Sequence, residues 1–117
     1  EINIKEVSVN IKTEVKSPPT IQKPAKEIDL HIEKLIPNYH VLSNGEILRI
    51  QLDTFEKQLD AAIASGMKEI IFIHGTGNGT LKNEIHKRLS KNKQIRFFKD
   101  AQKDRFGYGA TQVQISE

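Results

Sequence analysis

The segment His74-Gly75-Thr76-Gly77-Asn78-Gly79-Thr80-Leu81-Lys82 sets three glycines at alternate positions between an apolar run and a helical pattern. Glycines so spaced remove the β-carbons that would hold a ligand away from the backbone. The first amides of the helix that follows have no partner within it and carry the positive end of its dipole. Such a turn accepts an anion, phosphate above all. Gly75, Thr76, Gly77, Asn78 and Gly79 would form the cradle, with Lys82 adding charge one turn into the helix. Upstream, Asp29 and His31 stand two residues apart in Glu27-Ile28-Asp29-Leu30-His31, and alternate residues of a strand share a face. Together with His74 they are the parts needed to attack a phosphodiester: groups to move a proton beside a turn that holds the charge.

Two other phosphate motifs do not fit. A P-loop requires G-x-x-x-x-G-K-[ST], and neither that spacing nor the lysine is present. A dinucleotide fingerprint reads G-x-G-x-x-G, whereas this turn reads G-x-G-x-G and follows the second of only four expected strands. The histidines at 31, 40, 74 and 86 show no metal-ligand spacing such as H-x₃-H, so no cofactor is evident and a divalent metal has no ligand pattern in its support. With no cysteine in the chain, thiol nucleophiles, disulfides and cysteine-based zinc sites are excluded.

The elements that would position these residues follow from periodicity. Glu27–His31 reads as a short strand, and the segment 32–42 that follows reads as a loop. Ser43-Asn44-Gly45-Glu46 is an S-x-x-E capping box. Leu48, Leu52, Phe55, Leu59 and Ala62 then recur at helical spacing, and Gly66 supplies a left-handed stop. Glu69–His74 is nearly all apolar, as befits a central strand. Leu81, Ile85 and Leu89 mark a second helix over Thr80–Ser90. Gln94–Phe98 and Ala110–Ile115 read as the last two strands, joined by a loop rich in charge and glycine. The order is β-α-β-α-β-β, and right-handed crossovers make the first two strands parallel with both helices on one face. This predicts a two-layer α/β (α+β) sandwich on a four-stranded mixed sheet. Parallel neighbours end on the same edge, so Asp29 and His31 are expected beside the glycine turn.

The 117 residues suit one compact domain. Ile2, Ile4, Val7, Val9 and Ile11 alternate with polar residues, a strand pattern expected to be the tail or edge strand of a preceding β domain over residues 1–16. Residues 17–26, with Pro18, Pro19 and Pro24, read as an extended linker, which places the domain at 27–117 and an upstream domain of the same chain before it. No apolar run approaches the ~20 residues of a membrane span and no secretion leader is visible, so a cytoplasmic protein without a membrane partner is expected. The net charge of +3 is mild, but its distribution is uneven. Residues 82–105 hold nine Lys/Arg, among them Lys87 and Arg88, against three acidic residues, while residues 27–81 hold four basic and eight acidic ones. A concentrated basic stretch suits a polyanion such as DNA or RNA; it suits equally a solvated helix followed by a lysine-guarded edge strand.

Ile28-Asp29-Leu30-His31, His74-Gly75-Thr76-Gly77-Asn78-Gly79-Thr80-Leu81-Lys82 and Gly107-Tyr108-Gly109-Ala110-Thr111 resemble the three signature regions of the Smr (small MutS-related) domain, found at the end of MutS2 proteins and as a stand-alone module. The resemblance covers about residues 27–116. It implies a fold like the C-terminal domain of translation initiation factor 3, nucleic-acid binding, endonuclease action on DNA or RNA, and association with stalled ribosomes. The family's Asp-Leu-His falls on Asp29 and His31, its glycine turn on His74, Gly75, Gly77 and Gly79, and its basic residue on Lys82. Ile32 and Thr76 stand where the family usually carries glycine and lysine. From the residues alone, a non-catalytic interaction module within a larger protein and a binder of small phosphate compounds stay open beside a nuclease.

Overall fold

A computed structural model describes residues 22–116, so the strand pattern before Val15 and the first prolines of the expected linker lie outside the described residues. The elements are β1 (Glu27–Asp29), α1 (Ile32–Leu35), a 3-10 turn (Tyr39–Val41), α2 (Asn44–Ala64), β2 (Glu69–Ile73), α3 (Thr80–Ser90), β3 (Phe97–Asp100), α4 (Lys103–Phe106) and β4 (Ala110–Gln114). The sheet runs β1-β2-β4-β3; β1 and β2 are parallel, and β4 pairs antiparallel with both β2 and β3.

Helix α2 begins and ends on local signals. The Ser43 hydroxyl accepts from the Glu46 amide at 3.1 Å, and the Glu46 carboxylate accepts from the Ser43 amide at 2.8 Å, closing the capping box. At the other end Gly66 turns left-handed at φ 77°, its amide donates to Ile63, and the amide of Met67 donates to Ala62. That pairing satisfies the last carbonyls and buries Met67 beneath the helix end.

One core joins the layers. Leu52, Phe55, Leu59 and Ala62 of α2 and Leu81, Ile85 and Leu89 of α3 close over Ile70 and Phe72 of β2 and Val113 of β4. Phe55 and Phe72 meet edge to face with centroids 4.8 Å apart, a favoured aromatic geometry. Side chains in β2 alternate: Ile70 and Phe72 are fully buried under the helices, whereas Ile71 and Ile73 on the opposite face are half-buried.

The structure departs from the sequence expectations at several places. Strand β1 ends at Asp29 and leaves His31 outside it as the residue before α1, and the expected loop contains the 3-10 turn Tyr39–Val41. Residues 32–35, expected in a loop, form the single turn α1, which packs on α2 and buries Ile32. Residues 103–106 form a second single turn in the charged loop. The third strand starts at Phe97 rather than Gln94, because Asn92 holds a turn: its side chain accepts from the Gln94 amide at 2.9 Å and its carbonyl from the Ile95 amide at 3.2 Å. Before β1, the Lys26 carbonyl accepts from the Ile71 amide at 2.8 Å, so pairing with β2 begins at the end of the expected linker.

Candidate functional site

Asp29 ends β1 opposite Ile73, and the chain then crosses toward α1 with His31 in extended backbone. One oxygen of Asp29 accepts from both the His31 amide, at 2.9 Å, and the His31 ring at Nδ1, at 2.7 Å. Partial burial raises the pKa of Asp29, but the two hydrogen bonds and the nearby His31 and Lys34 outweigh it and hold the carboxyl below its usual range. Ionised Asp29 thus fixes the proton of His31 on Nδ1 and leaves Nε2 for chemistry.

That Nε2 faces the glycine turn. A β-carbon built on Gly75 would lie 2.8 Å from His31 Nε2, closer than such atoms approach, so the imidazole occupies the space a side chain at 75 would need. Gly75 is also left-handed at φ 74°. The parallel register of β1 and β2 brings the Asp29–His31 pair and the turn to the same sheet edge.

Within the turn the Gly79 amide donates to Thr76, and the Thr80 amide to the Asn78 side chain at 3.0 Å. The amides of Thr76, Gly77 and Asn78 have no acceptor among the described residues, and all three residues are exposed. Three consecutive free amides ahead of a helix start form a concave donor set for an anion.

His74 lies elsewhere than a group meant to face a substrate. It continues the alternation of Ile70 and Phe72, so its ring turns under the helix layer and is only 7% exposed. Nδ1 lies 2.8 Å from the Gly75 carbonyl, which can only accept, so Nδ1 carries the proton. Burial, the largest influence, pushes the His74 pKa down and keeps the ring neutral. Nε2 must then accept, and its partner 2.9 Å away is the fully buried Thr111 hydroxyl. The Thr111 oxygen in turn accepts from His86 Nε2 at 2.8 Å. His86, its pKa also lowered chiefly by burial, is seated on Phe98 with centroids 4.9 Å apart. The chain His86–Thr111–His74–Gly75 carbonyl fixes the peptide that opens the turn. Sequence reasoning missed the roles of Thr111, which the antiparallel pairing of Phe72 with Thr111 brings beneath His74, and of His86, which reaches Thr111 from helix α3.

Two expected phosphate-binding cations are already engaged. The Lys82 ammonium pairs with Asp100 at 3.3 Å and donates to the Tyr108 carbonyl at 3.3 Å, tying α3 to β3 and the 107–109 loop. Arg88 pairs with Glu56 at 2.9 Å, joining α3 to α2. Lys87 is exposed and makes no ion pair among the described residues. No group of three His, Asp or Glu side chains gathers as a metal site among the described residues, and no described helix is long and apolar enough to cross a membrane.

A four-stranded mixed sheet, two helices on one face and a glycine turn at the carboxyl end of a central strand define a small α+β domain. The chain belongs to the Smr-domain family, whose family model matches residues 49–116. It is 30% identical over 95 residues to the Endonuclease MutS2 of Aquifex aeolicus, covering 80% of this chain and 12% of that protein. It is 34% identical over 61 residues to the Endonuclease MutS2 of Pelotomaculum thermopropionicum, covering 52% and 8%. The chain therefore spans about a tenth of the length of these curated relatives. The crystal structure of the Smr domain of Thermus thermophilus MutS2 matches with a TM-score of 0.57 at 28% identity, covering 80% of this chain and all of that one. YdaL, a stand-alone small MutS-related protein from Escherichia coli, matches with a TM-score of 0.55 at 17% identity, over 79% of this chain and 65% of that one, a likeness of fold alone.

Proposed function

We propose that this domain holds nucleic acid by a phosphate at the 75–79 turn and cleaves a phosphodiester there, with His31 moving the proton. One observation carries this reading: an imidazole oriented by a carboxylate presents its free nitrogen to a turn with three unpartnered amides. The name Endonuclease MutS2 borne by the relatives supports it.

In the proposed step, non-bridging phosphate oxygens accept from the Thr76, Gly77 and Asn78 amides. His31 takes a proton at Nε2 from an attacking water as the water oxygen bonds to phosphorus. The charge that develops on the phosphoryl oxygens is met by the amides and the start of α3. As the bond to the leaving oxygen breaks on the opposite side of phosphorus, that oxygen takes a proton from solvent, and His31 gives its own proton up to solvent. Asp29 stabilises the transient imidazolium through Nδ1 and stays ionised. His74 acts as a positioning residue through the Gly75 carbonyl. The domain would act as one part of a longer protein, since its curated relatives extend far beyond it.

The test is to incubate the chain with end-labelled DNA and RNA oligonucleotides and follow both binding and cleavage. Cleavage by the unaltered chain that drops in Asp29→Asn fits the proposal. Absence of binding to any oligonucleotide at low salt contradicts it.

A further inference from the structure

Tyr108 is a large ring that the site leaves to solvent, at 57% exposure. Its loop is nevertheless firmly held. The Gly109 carbonyl accepts from the amides of both His74 and Gly75 at 2.9 Å. A β-carbon on Gly109 would sit 3.2 Å from the Phe106 carbonyl oxygen and 3.4 Å from the Gly75 α-carbon, so the loop lies directly on the glycine turn. Tyr108 is one residue from that contact.

Positive charge surrounds the ring. Lys82 and Lys103 place their ammonium groups 5.4 Å and 4.9 Å from its centroid. Asp100 holds Lys82, whereas Lys103 is exposed and makes no ion pair among the described residues, so its ammonium can follow a ligand. An exposed aromatic ring on a hydrogen-bonded loop, with a lysine ammonium beside it that no carboxylate holds among the described residues, has the composition of a base-stacking platform. In a duplex, each base already stacks on its neighbours; only an unpaired base offers a free face.

We propose that Tyr108 stacks on an unpaired base of the strand whose phosphate lies at the turn, so that the domain takes single-stranded segments of nucleic acid. This rests on the reading of the turn as a phosphate site. Bound strand displaces Lys103 from the ring toward a flanking phosphate, while Lys82 stays with Asp100 and keeps the loop in place.

The test compares binding of the 117-residue chain to a labelled single-stranded oligonucleotide and to its duplex, for the unaltered chain and for Tyr108→Ala, Tyr108→Phe and Tyr108→Trp. One stacked base corresponds to a loss of about five- to 150-fold in Tyr108→Ala for the single strand, with duplex affinity little changed. Tyr108→Phe keeps the single-strand affinity. The chain has no tryptophan, so Tyr108→Trp adds a sole indole whose fluorescence falls when the single strand binds. Unaltered single-strand affinity in Tyr108→Ala, or equal losses on both substrates, overturns the stacking proposal while leaving the phosphate site intact. Failure of the unaltered chain to bind either substrate overturns both.

Discussion

Gly75→Ala tests the contact between the turn and the His31 ring. Two costs are expected. Alanine at φ 74° pays the left-handed penalty of roughly 1–2 kcal/mol. Its methyl group would also meet His31 Nε2 at 2.8 Å. The backbone of the turn is held by the Gly109 carbonyl, so the imidazole swings away and its bond to Asp29 is lost. Because both side chains are more than a third exposed, that bond counts near the lower limit for hydrogen bonds, about 0.5 kcal/mol. The two terms total about 2 kcal/mol, a fall of roughly 8–16 °C in melting temperature for a domain of this size. Gly77→Ala isolates the backbone term, since φ is 41° and nothing lies within 4 Å of an added β-carbon. Gly45→Ala, inside α2 with open space and ordinary φ, should instead stabilise by about 0.5 kcal/mol. Thermal unfolding by circular dichroism gives the three stabilities, and proton NMR of the His31 ring reports its displacement. A Gly75→Ala protein with an unmoved His31 resonance and no greater loss than Gly77→Ala would show that the imidazole does not fill the space beside Gly75.

Further outcomes follow from the same geometry. Thr111→Val keeps the buried shape but removes the hydroxyl between two imidazoles, and should cost about 1–3 kcal/mol in chemical denaturation. His74 and His86 have pKa values held below 6.5, so the unfolded chain binds protons more readily than the folded one. Their contribution to stability is full above about pH 7 and is lost as pH falls below 6.5 through the folded values, which a melting series across pH would show. The contribution of Asp29, whose pKa lies below 3.8, persists to lower pH and disappears only beneath that point. Arg88→Ala should leave the salt dependence of oligonucleotide binding unaltered and cost less than about 1 kcal/mol, because Arg88 serves a half-exposed ion pair with Glu56. Lys87→Ala should lower the slope of log affinity against log salt for oligonucleotide binding by about 0.7–0.9, the value of one phosphate contact.

The larger elements were legible because their signals are local. The capping box, the spacing from Leu48 to Ala62 and Gly66 lie within α2 itself, and the three apolar residues of α3 repeat without interruption. The single turns α1 and α4 are too short for any periodicity to show, and β3 shifted because a side-chain turn at Asn92 outweighed the apolar pattern that begins at Ile95. The position of His74 was legible in principle, since alternation from Ile70 through Phe72 points it inward. Its neighbours were not, because His86 and Thr111 reach it only through helix packing and antiparallel pairing. Charge was the least reliable guide: a lysine and an arginine that looked free in sequence are held by Asp100 and Glu56 across the fold.

On the proposed function, His31 moves a proton and contributes little to grip. The direct measurement is the single-turnover cleavage rate of a labelled oligonucleotide, alongside its dissociation constant, for the unaltered chain and His31→Ala. The expected result is cleavage by the unaltered chain, a loss of roughly 10²–10⁴-fold in His31→Ala, and an affinity changed by no more than a few-fold. Cleavage by His31→Ala at the unaltered rate, or no cleavage by a chain that binds the oligonucleotide well, would contradict it.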